Sequence, residues 1–328
     1  MKKYLFMIIL CILLIAACSP ADGGADSPAA ESEPNTLTAI EVSEAALDAS
    51  ADFWSNAPKL DVPMLAAYEE NPDGPTVTIQ AVHDADHLTI RAEWADATES
   101  IWKNAWNWDG SEFSKSDDED RLMFTWPIGN NAEFASKGCT VACHNMADDP
   151  REWWMGSDSE DVRYDAWQWK AARTNPAGYV DDKWWSVLED AADTKSSRHS
   201  DVKESGGYAN NRNEDRTGPL YVSSTGLDAK FILAGEEVDI DLDVLEAGAV
   251  IPGYILAPAI GSRGDVATIG QWADGKWIMV LQRALDTGND GDTVFTPGKP
   301  LPFGMSVVDN GGGLEHAVAK EVLTLNWE

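Results

Sequence analysis

The chain predicts an all-β fold over residues 51–328, an antiparallel sandwich of jelly-roll character with a largely irregular, partly helical insertion at about 127–219. Three observations predict it. Short segments alternate apolar and polar residues with the period of a half-buried strand. Turn-forming pairs separate them, and only Ala166–Arg173 has helical character. The length beyond residue 50 is ample for one large all-β domain.

Met1-Lys2-Lys3 is charged and Tyr4–Ala17 is an apolar run closing on Ile15-Ala16-Ala17-Cys18. That is the pattern of an export signal, residues 1–17, and the small-residue site ending in cysteine looks like a bacterial lipobox, with Cys18 acylated. The rival, a membrane-spanning helix, has too short an apolar run. Residues 18–50 turn to Ala, Ser, Pro, Gly, Asp and Glu and read as a tether, because such a composition buries too little to order itself. An exported lipoprotein at the periplasmic face of the outer membrane or the cell surface is expected, with the inner membrane as the other anchor.

Thr76–Val82 places Val77, Ile79 and Ala81 on one face, and His87–Trp94 does the same with Leu88, Ile90, Ala92 and Trp94. His83-Asp84-Ala85-Asp86 joins them as a hairpin, where His83 and His87 cap the turn. The acidic run Asp117–Asp120 reads as a solvated loop, with a calcium site as the other reading, and Leu122, Phe124 and Trp126 alternate beyond it. From Pro127 to Pro219 strand character stops. Thr194–Arg216 reads as a polar loop with His199 in solvent. Strands resume with Val238–Val244, whose apolar residues should face a core and whose Asp239, Asp241 and Asp243 should face water. Ile269–Trp272 and Trp277–Arg283 flank Asp274-Gly275, a strong hairpin signal. Gly304–Asp309 and Val322–Trp327 close the chain.

Within the insertion, Gly138-Cys139-Thr140-Val141-Ala142-Cys143-His144-Asn145 holds the two cysteines that remain beyond the amino-terminal region. Two thiols can reach the two vinyl groups of one porphyrin, and an adjoining imidazole can ligate its iron. Covalent haem c attached through Cys139 and Cys143, with His144 axial, is the reading this supports, although three residues separate the cysteines where two are usual. A disulfide and an inert buried pair are the alternatives. Zinc lacks a second ligand pair.

For the sixth iron position the sequence offers Met155, in Trp153-Trp154-Met155-Gly156, and His316 after a glycine-rich loop, with Lys320 and Lys170 behind them. Trp153, Trp154, Trp167, Trp169, Trp184 and Trp185 could wall a porphyrin, stack on sugars or fill a core. Arg173 could meet a propionate. The whole chain carries 24 basic against 56 acidic residues. A field of that sign disfavours nucleic acid and anionic lipid and suits a redox partner with a basic docking face.

The segments VTIQAVHDADHLTIRAEWAD (77–96), DRLMFTW (120–126), WQWKAARTNPAG (167–178), GQWADGKWIMVLQR (270–283) and PFGMSVVDN (302–310) occur in order. They resemble the haem-binding domain of ethylbenzene dehydrogenase-related proteins, similar to the gamma subunits of type II dimethyl sulfoxide reductase-family molybdoenzymes. The resemblance implies a DOMON-like β-sandwich related in shape to some carbohydrate-binding modules. It also implies a non-covalent haem b held by methionine and lysine, which here would be Met155 and a residue in the region of His316 and Lys320. The cysteine pair departs from that pattern and implies a c-type branch. The expected function is that of a lipid-anchored monohaem cytochrome passing single electrons. The alternatives are an electron-relay subunit of a molybdenum oxidoreductase and a non-redox, carbohydrate-binding-like module. No catalytic triad, phosphate loop or nucleotide fingerprint is present to suggest an enzyme acting alone.

Overall fold

In the computed structural model the described residues are 34–67, 71–116, 118–129, 131–138, 156–157, 161–187, 197–312 and 315–328, within one compact unit, Ser32–Glu328. Thirteen strands form the main framework. They are β1 (Thr36–Glu41), β2 (Leu60–Ala66), β3 (Thr76–His83), β4 (His87–Ala95), β5 (Glu119–Ile128), β6 (Arg163–Lys170), β7 (Asp181–Trp185) and β8 (Arg198–Ser200). After a long excursion come β9 (Ala267–Ala273), β10 (Lys276–Ala284), β11 (Leu301–Gly311), β12 (Ala317–Ala319) and β13 (Leu323–Trp327).

The framework is an antiparallel β-sandwich, as the alternation predicts. One layer runs β8-β7-β6-β5-β11-β12-β2, the other β2-β3-β4-β10-β9, with β1 and β13 beside it. Two strands belong to both layers. Leu60–Pro63 of β2 pair with β3 while Met64–Ala66 pair with β12. Leu301–Phe303 of β11 pair with β13, and Gly304 onward with β5.

The expected hairpins are present. Val77 faces Trp94, Ile79 faces Ala92 and Ala81 faces Ile90 across β3 and β4. All are buried in the main core, and each large apolar side chain there contributes about 1.5–3 kcal/mol. Asp84 fixes the turn, its Oδ1 accepting from the Asp86 and His87 amides at 2.8 and 2.7 Å. At the β9–β10 turn Asp274 and Gly275 have φ of 52° and 75°, the left-handed pair a type I′ hairpin requires. Between the layers Trp169 of β6 meets Trp277 of β10 edge to face at 4.9 Å.

Several expectations are corrected. Residues 36–41 do not belong to a tether: β1 lies parallel between β13 and β3, with Leu37 and Ala39 wholly buried. The stretch 127–219 is not one irregular insertion, because β6, β7 and β8 fall inside it and continue the first layer. Ala166–Arg173 is mostly strand β6, which is buried on both faces and so shows no alternation. The polar loop at 194–216 contains β8 and a strand, Ser205–Asn210. The true excursion lies between β8 and β9, where Ser205–Asn210, Tyr254–Ile260 and Ile232–Leu233 make one small sheet and Tyr221–Ser223 pairs with Glu237–Asp239. Only Glu237–Asp239 of the segment 238–244 is strand; Val238, Leu242 and Val244 are exposed, so no second layer covers that alternation. Glu119 and Asp120, expected in solvent, are wholly buried.

Candidate functional site

Of the residues singled out for haem, Cys139, Cys143, His144 and Met155 lie outside the described residues, as do Trp153, Trp154 and Cys18, the residue expected to carry a lipid. The described chain reaches Gly138, and what leads to it is well defined. Helix α1 (Ala132–Lys137) is capped by Asn131, whose Oδ1 accepts from the Phe134 amide at 3.0 Å. Phe134 is fully buried with Tyr164, Ala166 and Trp185, so the helix is seated on the even-numbered face of β6. Gly138 ends the helix with φ 70°, in the left-handed region that suits glycine. A methyl group added to it would stand 3.5 Å from Val322 Cγ2.

His316 and Lys320 flank β12, one before it and one after, so their backbones are about 13 Å apart. The His316 carbonyl accepts from the Ala67 amide at 3.1 Å. Lys320 is exposed, with Nζ 3.4 Å from the Ala67 carbonyl. Lys320 lies two residues from Val322, the residue that a side chain at position 138 would meet. Lys170 is engaged elsewhere: it is buried and bonded to Asp181, and burial pushes its amine down to about 7.

Beside α1 opens a cleft of about 560 Å³, with Pro127 and Ile128 of β5, Asn131 and Ala135 of the helix, and Leu301 and Pro302 of β11 in its wall. The wall mixes apolar residues with Asn131, Asp292, Thr293, Thr296 and Lys299, and the volume lies in the usual range for a small-molecule site. Asn131 Nδ2 is buried without a partner among the described residues, a donor that an acidic group in the cleft would satisfy. These features fit a planar apolar group bearing carboxylates, and haem is such a group.

The tryptophans divide. Trp167, Trp169 and Trp185 are core residues, at 1% exposure or less, and none presents a free face. Trp184 is partly exposed and stacks on His199, ring centres 4.0 Å apart, so His199 is held and not solvated. Arg173, a candidate for a propionate, is spent on Glu119, its Nε donating to Oε1 at 2.7 Å, beneath the ring of Tyr208.

A buried acidic cluster that no sequence motif marks lies between the layers. Asp165 of β6, Asp182 of β7 and Asp201, just beyond β8, share one face because Trp167 lies opposite Asp182 in register and the Asp201 amide approaches the Asp182 carbonyl. Asp265 and Asp292 close in from two turns. Oxygens of Asp182, Asp265 and Asp292 lie within 4.8 Å of one another. Arg283 enters from β10, wholly buried, donating to Asp165 Oδ2 at 2.6 Å and to the Thr293 carbonyl. Burial, with carboxylates facing one another, raises Asp165 to about 6, Asp201 and Asp265 to about 7, and Asp182 well above the usual range. The available signal was the loop Asp286-Thr287-Gly288-Asn289-Asp290-Gly291-Asp292, dense in acids, amides and glycine.

A family model described as ethylbenzene dehydrogenase matches residues 51–320. No curated protein matches the chain. Among solved structures it is similar to a candidate carbohydrate-binding protein of Bacteroides uniformis ATCC 8492, with 10% identity over 89% of this chain and 99% of that one, TM-score 0.41. It is also similar to a family 9 carbohydrate-binding module of Caldicellulosiruptor kristjanssonii in complex with glucose, with 7% identity over 89% and 95%, TM-score 0.34. With a match that takes in nearly all of the β-sandwich, the chain belongs to the ethylbenzene dehydrogenase family.

Proposed function

We propose that this protein is an exported, lipid-anchored monohaem cytochrome of c type that passes single electrons. The observation that carries the reading is the pair Cys139 and Cys143 with His144, following directly on a helix seated beside an apolar cleft in a chain of this family. Bound haem would supply a one-electron iron couple. The chain's own part is to hold it: Cys139 and Cys143 as thioethers, His144 as one axial ligand, and Met155 or His316 as the other. The apolar part of the cleft wall would shield the group from water, and the Asn131 amide would donate to a carboxylate. Lys320 is a further distal candidate, two residues from Val322, which lies beside position 138. Cys18 would carry the lipid, on the outer membrane or cell surface, and the acidic charge would favour a basic redox partner.

A second reading has support from the family match itself. In it the protein relays electrons for a molybdenum oxidoreductase, with the haem held non-covalently as haem b. For the sugar-binding reading, Trp167, Trp169 and Trp185 are buried and Trp184 is the partly exposed platform among the described candidates.

The test is a pyridine haemochrome spectrum of protein matured with the haem-attachment machinery, before and after acid-acetone extraction, beside a Cys139→Ala, Cys143→Ala double variant. Colour that resists extraction and vanishes in the variant is expected. Extractable colour that survives in the variant would replace haem c with haem b, and colourless protein would end both haem readings.

A further inference from the structure

The acidic cluster is more than a concentration of charge, because each carboxylate has one oxygen engaged and the other left over. Asp182 Oδ1 accepts from the Lys183 amide at 2.8 Å. Asp201 Oδ2 accepts from Ser262 Oγ at 2.6 Å. Asp265 Oδ2 accepts from Asn289 Nδ2 at 3.1 Å, and Asp292 Oδ2 from Thr287 Oγ1 and Asn289 Nδ2 at 2.5 and 3.2 Å. Asp165 Oδ2 takes Arg283 and the Thr293 amide. The second oxygens, Asp165 Oδ1, Asp182 Oδ2, Asp201 Oδ1, Asp265 Oδ1 and Asp292 Oδ1, are all buried without a hydrogen-bond partner among the described residues. Asp165 and Asp182 are 0% exposed and Asp201 6%. One guanidinium faces five acids. Unpaired buried carboxylate oxygens are costly, and a cation among the set, which converges from five segments, would relieve that cost.

We propose that Asp182, Asp265 and Asp292, with Asp201 beside them, bind a calcium ion. The oxygens of the first three lie no more than 4.8 Å apart, within the span that oxygens about 2.4 Å from a common centre can have. An all-oxygen set of several carboxylates suits a hard cation, and one without histidine or cysteine does not suit zinc or copper. Magnesium takes one or two carboxylates and keeps its water, so the number of acids selects calcium. The ion would tie β7, the end of β8, the turn at Asp265 and the loop 285–293 together. That loop runs into Thr293, whose Oγ1 bonds the Pro127 carbonyl at 3.1 Å in the wall of the cleft described above. Calcium thereby sets that wall, whatever the cleft holds.

The experiment uses the full chain, stripped with a calcium chelator and melted with calcium, with magnesium, or with neither. Calcium is expected to raise Tm by about 5 °C when present at a hundredfold its Kd, and magnesium to do little. Terbium should bind in its place and luminesce on tryptophan excitation, because Trp184 lies against Gly291 of the loop. Asp265→Asn, at the half-buried rim, should weaken calcium binding tenfold or more. Asp182→Asn should raise Tm of the stripped protein and lower that of the calcium-loaded one, a reversal that a merely structural aspartate would not give. No Tm response to calcium together with no terbium signal would overturn the site, and so would an Asp265→Asn variant that keeps the wild-type calcium response.

Discussion

Replacing Arg283 with leucine takes away the buried cation of the interlayer cluster, and the loss can be worked from its contacts. Its Nη1 donates to Asp165 Oδ2 at 2.6 Å and its Nη2 to the Thr293 carbonyl. The guanidinium lies 4.9 Å from the ring of Trp167 and 4.7 Å from that of Phe295. Without it, Asp165 keeps one hydrogen bond, from the Thr293 amide at 2.9 Å, and the Thr293 carbonyl loses a donor in a dry site. Breaking a buried pair from one side costs about 3–5 kcal/mol, which corresponds to a fall in Tm of about 10 °C. Asp165→Asn together with Arg283→Leu leaves no stranded charge, so the double variant should recover about 1–3 kcal/mol relative to the sum of the singles. Urea unfolding in calcium-free buffer, followed by tryptophan fluorescence and circular dichroism, measures both. A single variant within 1 kcal/mol of wild type, or a strictly additive double variant, would refute the account.

Asp84→Ala should cost about 1.5–3 kcal/mol in urea unfolding, because one carboxylate takes the Ala45, Asp86 and His87 amides. Those amide hydrogen bonds outweigh partial burial and hold the Asp84 carboxyl below its ordinary value of 3.8. Its contribution is therefore complete above that pH and lost as the pH falls below it, so the variant and wild type should converge in acid. Gly206→Ala should destabilise by more than about 2 kcal/mol, since φ is 73° and the new methyl would sit 1.8 Å from the Pro258 carbonyl oxygen; a thermal melt within 2 °C of wild type would contradict this. Deleting Thr36–Glu41 should lower Tm by more than deleting residues 1–33, because it removes the buried Leu37 and Ala39. In haem-loaded protein, Lys320→Ala and His316→Ala should be separable by absorption: only the distal ligand's removal should shift the Soret band.

What could be read from the sequence was what is local. Asp274-Gly275 and the Asp84 turn encode their hairpins in adjacent residues, and β3 and β4 each have one polar-leaning face to give the period away. Strand β6 could not be read so, because Asp165, Ala166 and Trp167 are all buried and the Ala-Trp-Gln-Trp-Lys-Ala-Ala run mimics a helix. Thr36–Glu41 has a strand's residues inside a tether's composition, and its partners lie near residues 81 and 325. The proposed haem motif stands out in the sequence because two thiols and an imidazole fall within six residues. The acidic cluster was not, since pairing of β6, β7 and β8 assembles it from segments that share no spacing.

The position of β1 also dictates an order of events. It is the first strand of the framework in chain order, yet it pairs with β13, the last of those strands. The backbone amide of Glu41 even donates to the carbonyl of the final residue, Glu328, at 3.0 Å. Loop closure across nearly the whole chain must therefore precede completion of that layer. A chain interrupted before Leu323 would leave β1 without one neighbour and Leu301–Phe303 of β11 without theirs. Unpaired edges of that kind recruit other chains, so partial products should aggregate where the finished protein does not.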